Sequence, residues 1–470
     1  MKKNIDEYKS LIRVIEGLIE IFLLSLVYYM CWRHLYDVND FNPYYGRGKW
    51  ILAGVYAIIL FISFKSTECF RYGYLKLADA FASQTVSIFI VDFITYFELC
   101  LIANKMVAVW PMLINLLADI GLCFLFCYVY TVIYHALYVP HDMLLIYGSD
   151  NALNLKFKMD ARKDRYTITE VINAKAGHDN LIAAINRHDA IILNDIDGQQ
   201  RNDIVKYSYS HSIRTYLVPR ISDLILAGGQ DISLFDTPLK LVKGTGLSVT
   251  QRFVKRFFDI FLCSVALAIL WPIMAIIAIA IKLEDHGPVF YKQKRITRDG
   301  QAFDILKFRS MVVDAEKGGY DLSMRATGKD PRITKVGSVI RAIRIDELPQ
   351  LINIIKGDMS IVGPRPERVE NVQAYADEIE EWHLREKVRG GLTGYAQVIG
   401  RYNTTPIDKL KLDIMYIENY SLFLDIKIII MTIRILFSKE STEGFEDNNE
   451  QDKIISDIKE KYEYHQEENA

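Results

Sequence analysis

The residues best suited to chemistry fall between Glu284 and Arg401, where cations and carboxylates gather around glycine and proline. Asp346 and Glu347 stand side by side in Ile345-Asp346-Glu347-Leu348-Pro349-Gln350-Leu351, a helix start with Arg341 and Arg344 just before it. Lys307-Phe308-Arg309-Ser310-Met311 follows a strand over residues 302–306, and Lys356-Gly357-Asp358-Met359-Ser360 leads into Gly363-Pro364-Arg365-Pro366. Arg389-Gly390-Gly391-Leu392-Thr393-Gly394 and Gly400-Arg401-Tyr402-Asn403 close the set. Arginine forks match phosphate oxygens two at a time, and free N–H groups at a helix start add to them, so this is an anion site. Pro364 and Pro366 stiffen the backbone around Arg365, so little entropy is lost on binding. Inside such a site a carboxylate can hold Mg²⁺ through hard oxygen ligands, or attack phosphorus. An isolated Asp-Glu pair would more often cap a helix and pair with arginines such as Arg341 and Arg344. The chemical reading rests on the whole set.

These residues need a scaffold, and the composition says which kind. The chain has 470 residues, a formal charge of −2 and 51% apolar residues, very unevenly spread. That balance, with no basic stripe interleaved with aromatics, excludes a nucleic-acid binder. Residues 18–30, 50–64, 84–103 and 106–138 are long and almost uncharged, each able with its flanks to span a hydrocarbon core of about 30 Å. A signal peptide is disfavoured for the first, because no small-residue cleavage site follows it. Four passes bring both ends of the bundle to one side, and Lys2, Lys3, Lys9, Arg13, Lys65, Arg71 and Lys76 put that side in the cytoplasm, although Arg47 and Lys49 dilute the bias. Cys123 and Cys127 read as small apolar side chains on a membrane helix, and the scattered histidines offer no zinc site.

From Asp142 short strands and helices alternate, with strands over residues 143–147, 190–194 and 214–218 and a helix over 180–186. The first strand leads into Gly148-Ser149-Asp150-Asn151, where a dinucleotide binder would carry three glycines. This α/β unit therefore reads as structural or regulatory. Residues 242–250 read as a linker. Residues 260–281 are uncharged between Lys255-Arg256 and Lys282, long enough for a membrane helix, but Pro272 lies in the middle. A re-entrant helix that breaks at Trp271-Pro272 keeps the motifs beyond Lys282 on the cytoplasmic face; a single crossing would place them outside. Residues 424–437 suit a helix lying in the membrane interface, with Lys427 and Arg434 on one face. The tail is acidic and polar, without evident chemistry.

Residues 252–437 resemble the monotopic phosphoglycosyl transferases, also called bacterial sugar transferases. The matching words are Lys255-Arg256-Phe257-Phe258-Asp259, Lys307-Phe308-Arg309-Ser310-Met311, Asp346-Glu347-Leu348-Pro349-Gln350-Leu351, Gly357-Asp358-Met359-Ser360, Val362-Gly363-Pro364-Arg365-Pro366 and Gly394-Tyr395-Ala396-Gln397-Val398. The layout resembles long-form members that start exopolysaccharide, capsule or O-antigen synthesis. The resemblance implies a membrane protein: a four-helix transmembrane bundle at 1–140, a Rossmann-like, degenerate nucleotide-binding-like cytoplasmic α/β domain at 141–241, and a linker at 242–251. It implies a C-terminal α/β catalytic domain at 252–438, with a re-entrant helix over 255–282 and interfacial helices, before the acidic tail at 439–470. The implied site is on the cytoplasmic face of the bacterial cell membrane. The implied reaction moves a sugar 1-phosphate from a UDP-sugar, commonly UDP-glucose or UDP-galactose, to undecaprenyl phosphate, releasing UMP. Asp346 is then the nucleophile, Asp346 and Glu347 bind Mg²⁺, and Lys307, Arg309, Arg341, Arg344, Pro364, Arg365 and Arg401 form the phosphate and nucleotide site. A homodimer and other polysaccharide-assembly proteins are compatible partners; a membrane-anchored, non-catalytic regulator or scaffold is the rival reading. The chain departs from the family pattern at Thr297, where glycine is usual, at Gly390, where proline is usual, and at Trp271-Pro272, where Ser-Pro is usual.

Overall fold

The computed structural model describes residues 2–36, 48–67, 69–70, 77–137, 140–149, 153–160, 162, 165–313, 332–400 and 404–436. The chain divides into two compact units, one of the described residues up to Arg220 and one from Ile221 onward.

The first unit begins with helices α1 (Lys2–Leu35), α2 (Lys49–Ser66), α3 (Leu77–Ala103) and α4 (Trp110–Leu137). Their inward faces repeat every four residues, as a helix requires: Leu24, Tyr28 and Trp32 on α1, and Leu52, Tyr56, Leu60 and Phe64 on α2, are all buried. Tyr28 stacks on Tyr56 with ring centroids 4.3 Å apart. The opposite faces carry exposed Trp50, Phe89, Phe93, Leu101 and Leu117, the arrangement expected where the solvent is hydrocarbon. Residues 49–66, 80–103 and 110–134 are long and apolar enough to cross a membrane. α1 packs on α2 and α4 but is not in that set, so three of the four expected N-terminal spans are. A polar seam the sequence reading did not anticipate runs inside the bundle: the Tyr56 hydroxyl lies 3.0 Å from Asp92 and 2.9 Å from Asp119, and Asn115 donates to both. Buried polar groups must find partners inside such a bundle.

An α/β sheet follows, formed by β1 (His141–Tyr147), β2 (Tyr166–Asn173), β3 (Ala190–Asn194) and β4 (Arg214–Leu217), with helices α5 (Asn154–Asp160), α6 (His178–Asn186) and α7 (Gly198–Ser210) between them. All strand pairs are parallel, in the order β2-β1-β3-β4. Met143, Leu145 and Tyr147 pack with Leu153 on one face, and Leu144 and Ile146 pack with Leu181, Ile185 and Ile204 on the other. Both faces are therefore covered, which is why β1 is a continuous apolar run. Gly148 has a structural explanation: a Cβ there would sit 1.8 Å from the Asp195 carbonyl oxygen.

The second unit opens with α8 (Ile221–Ala227) and the exposed antiparallel hairpin β5 (Gln230–Leu234) and β6 (Thr237–Leu241). The sequence grouped these residues with the α/β domain up to 241; here α8 packs on α14 (Pro406–Glu418). Helix α9 (Val249–Asp285) starts inside the expected linker, with Ser248 and Gln251 forming a reciprocal capping box, and ends at His286 in the left-handed conformation. It runs unbroken through Pro272, where the sequence suggested an interruption. A proline costs one backbone hydrogen bond, and the neighbouring turns carry the helix past it. One stripe of α9, Lys255, Asp259, Cys263, Met274 and Ile281, is buried, while Phe253, Ile269, Trp271, Ile276 and Leu283 are exposed.

Around this helix stand the hairpin β7 (Phe290–Ile296) and β8 (Ala302–Phe308), then α10 (Lys335–Ala342), α11 (Gln350–Lys356) and the two-stranded parallel ribbon of β9 (Ser360–Val362) with β10 (Gly391–Thr393). α12 (Val369–Glu378), a 3-10 segment at Glu380–Lys387, α13 (Tyr395–Ile399), α14 and α15 (Leu422–Leu436) complete the unit. The Lys-Arg-Phe-Phe-Asp motif is the joint between α9 and the rest. Lys255 pairs with Asp425 of α15 at 2.6 Å, Arg256 donates to the Ile354 and Ile355 carbonyls at the end of α11, and Asp259 accepts from the Ser360 hydroxyl and the Ile361 N–H of β9.

Candidate active site

Lys307 lies at the end of β8, paired across the hairpin with Tyr291. Thirty-odd residues on, the backbone enters the left-handed region at Arg344 (φ 54°) and then makes a 3-10 turn over Ile345–Glu347 before α11 starts. A non-glycine residue held there is uncommon, and such positions concentrate at functional sites. The turn presents Asp346 and Glu347 at the helix start. Arg365 arrives from the Gly363–Pro366 loop that leaves β9; Pro364 and Pro366 are buried while Arg365 is exposed.

The two carboxylates have different surroundings. Glu347 Oε1 is 2.7 Å from Lys307 Nζ and 3.1 Å from Arg365 Nη2. Asp346 has no ion pair within 4.0 Å among the described residues. Burial alone would raise the Glu347 carboxyl, but Arg365 and Lys307 bring it down to about 2. Asp346 moves the other way: burial and then the Glu347 charge raise it, against the weaker pull of Lys307 and Arg341. Neighbouring carboxyls driven apart in this way mark a division of roles.

Of the expected phosphate ligands, Lys307 and Arg365 meet at Glu347, and Arg341 on α10 acts on Asp346 electrostatically. Arg344 sits in the strained turn itself, exposed. Pro364 contributes its carbonyl, which accepts from Gly391 N–H at 2.9 Å and ties the loop to β10. Arg309 does not join Glu347: it is buried and pairs with Asp285 at the end of α9. Arg401 lies outside the described residues. No group of three His, Cys, Asp or Glu converges among the described residues. Asp346 and Glu347 offer two hard carboxylates, which suits a Mg²⁺ held by one or two carboxylates plus substrate phosphate.

The sequence reading passed over the residues that hold the Arg365 loop. Arg385 and Asp413 carry no motif, and Arg295 reads only as a neighbour of Thr297, so only their pairing in the fold reveals them. The two departures at Thr297 and Gly390 also meet: Thr297 Oγ1 donates to the Asp358 carbonyl at 2.9 Å and accepts from Gly390 N–H at 3.1 Å. A proline at residue 390 would have no N–H to offer, and a glycine at 297 no hydroxyl.

Residues 250–439 match the family model of the bacterial sugar transferases. The chain is 41% identical over 208 residues to the UDP-glucose:undecaprenyl-phosphate glucose-1-phosphate transferase of Escherichia coli (strain K12), covering 43% of this chain and 42% of that protein. It is 36% identical over 260 residues to the UDP-N-acetylgalactosamine-undecaprenyl-phosphate N-acetylgalactosaminephosphotransferase of Aeromonas hydrophila, covering 54% and 60%. The chain thus spans about half the length of these curated relatives. Against the exopolysaccharide production protein ExoY of Rhizobium meliloti (strain 1021) it is 42% identical over 194 residues, 38% of this chain and 83% of that one. With its Asp346-Glu347 turn facing Lys307 and Arg365, and with that match to most of a relative's length, the chain belongs to the bacterial sugar transferase family.

Proposed function

We propose that the protein transfers a sugar 1-phosphate from a UDP-sugar to undecaprenyl phosphate, with Asp346 as nucleophile. The observation that carries this reading is the asymmetry of the carboxylates: Glu347 is engaged by two cations, and Asp346 beside it has no ion pair among the described residues. The names of the Escherichia coli and Aeromonas hydrophila relatives support the substrate class.

In the first step an Asp346 carboxylate oxygen attacks the sugar-linked phosphorus. The new bond is Asp346 O–P, the bond broken is the P–O–P bridge, and UMP leaves with that electron pair. In the second, a phosphate oxygen of undecaprenyl phosphate attacks the same phosphorus, forming a new P–O–P bridge and releasing the Asp346 carboxylate. Neither step needs an oxidant or reductant. The obstacle is an anion attacking an anion, and Lys307 and Arg365 reduce that repulsion along the attack path. Mg²⁺ bound at Asp346 and Glu347 would offset diphosphate charge. Lys307, Arg341, Arg344 and Arg365 bind and orient phosphate oxygens.

Our reading of the membrane arrangement is supported by α9. At about 1.5 Å per residue this helix is far longer than a hydrocarbon core of about 30 Å. Its buried stripe packs along the same unit at both ends, with Lys255 on α15 and Met274 and Ile281 beside Phe308 and Ile340. An unbroken helix packed on the same unit near both ends lies along one face of the membrane, with its exposed aromatic and aliphatic side in lipid. We place the catalytic unit on the cytoplasmic face, where a soluble nucleotide and a lipid phosphate would both reach Asp346. The sheet with order β2-β1-β3-β4 is a Rossmann-like domain whose first loop is closed against Asp195, which favours a structural role.

Purified protein incubated with undecaprenyl phosphate and a panel of UDP-sugars is the test, scored by UMP. Release with one sugar, and a burst of about one equivalent without lipid, is expected of a covalent intermediate. Absence of UMP with every sugar would return the chain to the scaffold reading.

A further inference from the structure

Arg365 is 43% exposed, a long flexible side chain on a loop, yet it must meet Glu347 and a substrate phosphate in one geometry. What fixes it lies behind the loop. Arg385, in the 3-10 segment after α12, is 5% exposed and donates to the Arg365 carbonyl at 3.0 Å. The same nitrogen, Nη2, lies 2.7 Å from Asp413 Oδ2 of α14, Nε donates to that oxygen at 2.9 Å, and the guanidinium packs over the ring of Trp382 at 4.7 Å. Asp413 is 1% exposed. One residue along, Arg295 of β7 donates to the Pro366 carbonyl at 3.1 Å. Gly390 abuts the Pro366 ring, where a Cβ would be 2.4 Å from Cγ, and Thr297 pins Gly390 by its N–H.

Burying a guanidinium and a carboxylate is costly, and replacing such a pair by apolar residues is often neutral or stabilising. Stability alone therefore does not account for this pair. We propose that Arg385, held by Asp413, is a positioning residue that aims Arg365, and that Thr297 is a second one acting through Gly390 and Pro366. Neither side chain touches Glu347 or Asp346; both act on the backbone that carries Arg365. A planar fork is needed because one guanidinium must satisfy a carbonyl and a carboxylate at fixed angles, which an ammonium cannot do. The hydroxyl of Thr297 is needed because it accepts from the Gly390 N–H just before β10 and donates to the Asp358 carbonyl just before β9.

This inference rests on the transferase reading, and wild-type UMP release tests that reading separately. In active wild-type background, Arg385→Lys should lower kcat by about tenfold to a hundredfold with KM for the UDP-sugar changed far less, since misplacing a charge by about 1 Å acts mainly on the transition state. In an Arg365→Ala background the same Arg385→Lys change should have no further effect, because the residue it positions is gone. A merely structural role would instead add its loss to that of Arg365→Ala. Full additivity, or Arg385→Lys turning over at the wild-type rate, overturns the assignment. If Arg385→Lys does not fold, Thr297→Val decides. It should lower kcat about fivefold while Thr297→Ser, which keeps the hydroxyl, stays near wild type. Equal damage by valine and serine, or none by valine, overturns the proposal.

Discussion

In the parallel sheet of the first unit, Met143, Leu144, Leu145 and Ile146 are each at most 1% exposed, and the side chains facing them are aliphatic on both sides. In the second unit β7 alternates half-covered with exposed positions, β8 buries Phe303, Ile305 and Phe308, and the loops around the hairpin are tied by side chains bonded to backbone: Arg256, Asp259, Asn353, Thr297, Arg295 and Arg385. The first region is held by area removed from water, which is tolerant of angle and needs only complementary shape. The second is held by directional bonds that specify where each loop goes. A sheet serving as scaffold needs cohesion; a site that must bring Lys307, Arg365, Asp346 and Glu347 to one place needs direction. Mutations should therefore cost stability in the first region and turnover in the second.

The largest effect should come from Asp346→Asn, which keeps the side-chain shape and removes the anion proposed to attack phosphorus. Transfer should fall by about a thousandfold or more with the melting temperature unchanged, and the burst of UMP should vanish. Appreciable turnover would demote Asp346 to a metal ligand and favour direct attack by the lipid phosphate. Leu145→Ala makes the opposite test. It should cost the first unit about 2–5 kcal/mol in denaturant unfolding while leaving kcat of the folded protein near wild type. A collapse of kcat without loss of stability would erase the contrast between the regions.

A smaller effect concerns pH. As the proposed nucleophile Asp346 would have to be ionised, and its carboxyl is raised, so kcat/KM should fall on acidification at a higher pH than an ordinary aspartate would give. Arg341 pulls that carboxyl down, so Arg341→Ala should move the acid limb upward. Glu347, held at about 2, should contribute no limb of its own in the working range. An acid limb unmoved by Arg341→Ala would break the electrostatic link between α10 and Asp346. The smallest expected effect is none: NAD or coenzyme A should leave the melting temperature unchanged, because the space at Gly148 is filled by the Asp195 backbone. A saturable shift would reveal a ligand site in the sheet.

Much of this was legible in the residues alone. Continuous apolar runs reported the membrane helices and strands β1 and β3, since burial on all sides leaves a one-dimensional trace. The Asp346-Glu347 pair, Lys307 and the Pro364-Arg365-Pro366 loop were readable because motif residues near each other in the chain stay near each other in a turn. β2, with its mixed Tyr-Thr-Ile-Thr-Glu pattern, went unread, as did α8 and the β5–β6 hairpin, whose polar turns give no periodic signal. Tertiary structure alone decided that Arg309 turns to Asp285 while Lys307 turns to Glu347. It also decided that α9 continues through Pro272, that Thr297 answers Gly390, and that Arg385 reaches Arg365 with Asp413 behind it. Residue type and spacing report what is local or periodic. A buried charge, in contrast, has a meaning only through its partner, and that partner is chosen by the packing of segments distant in sequence.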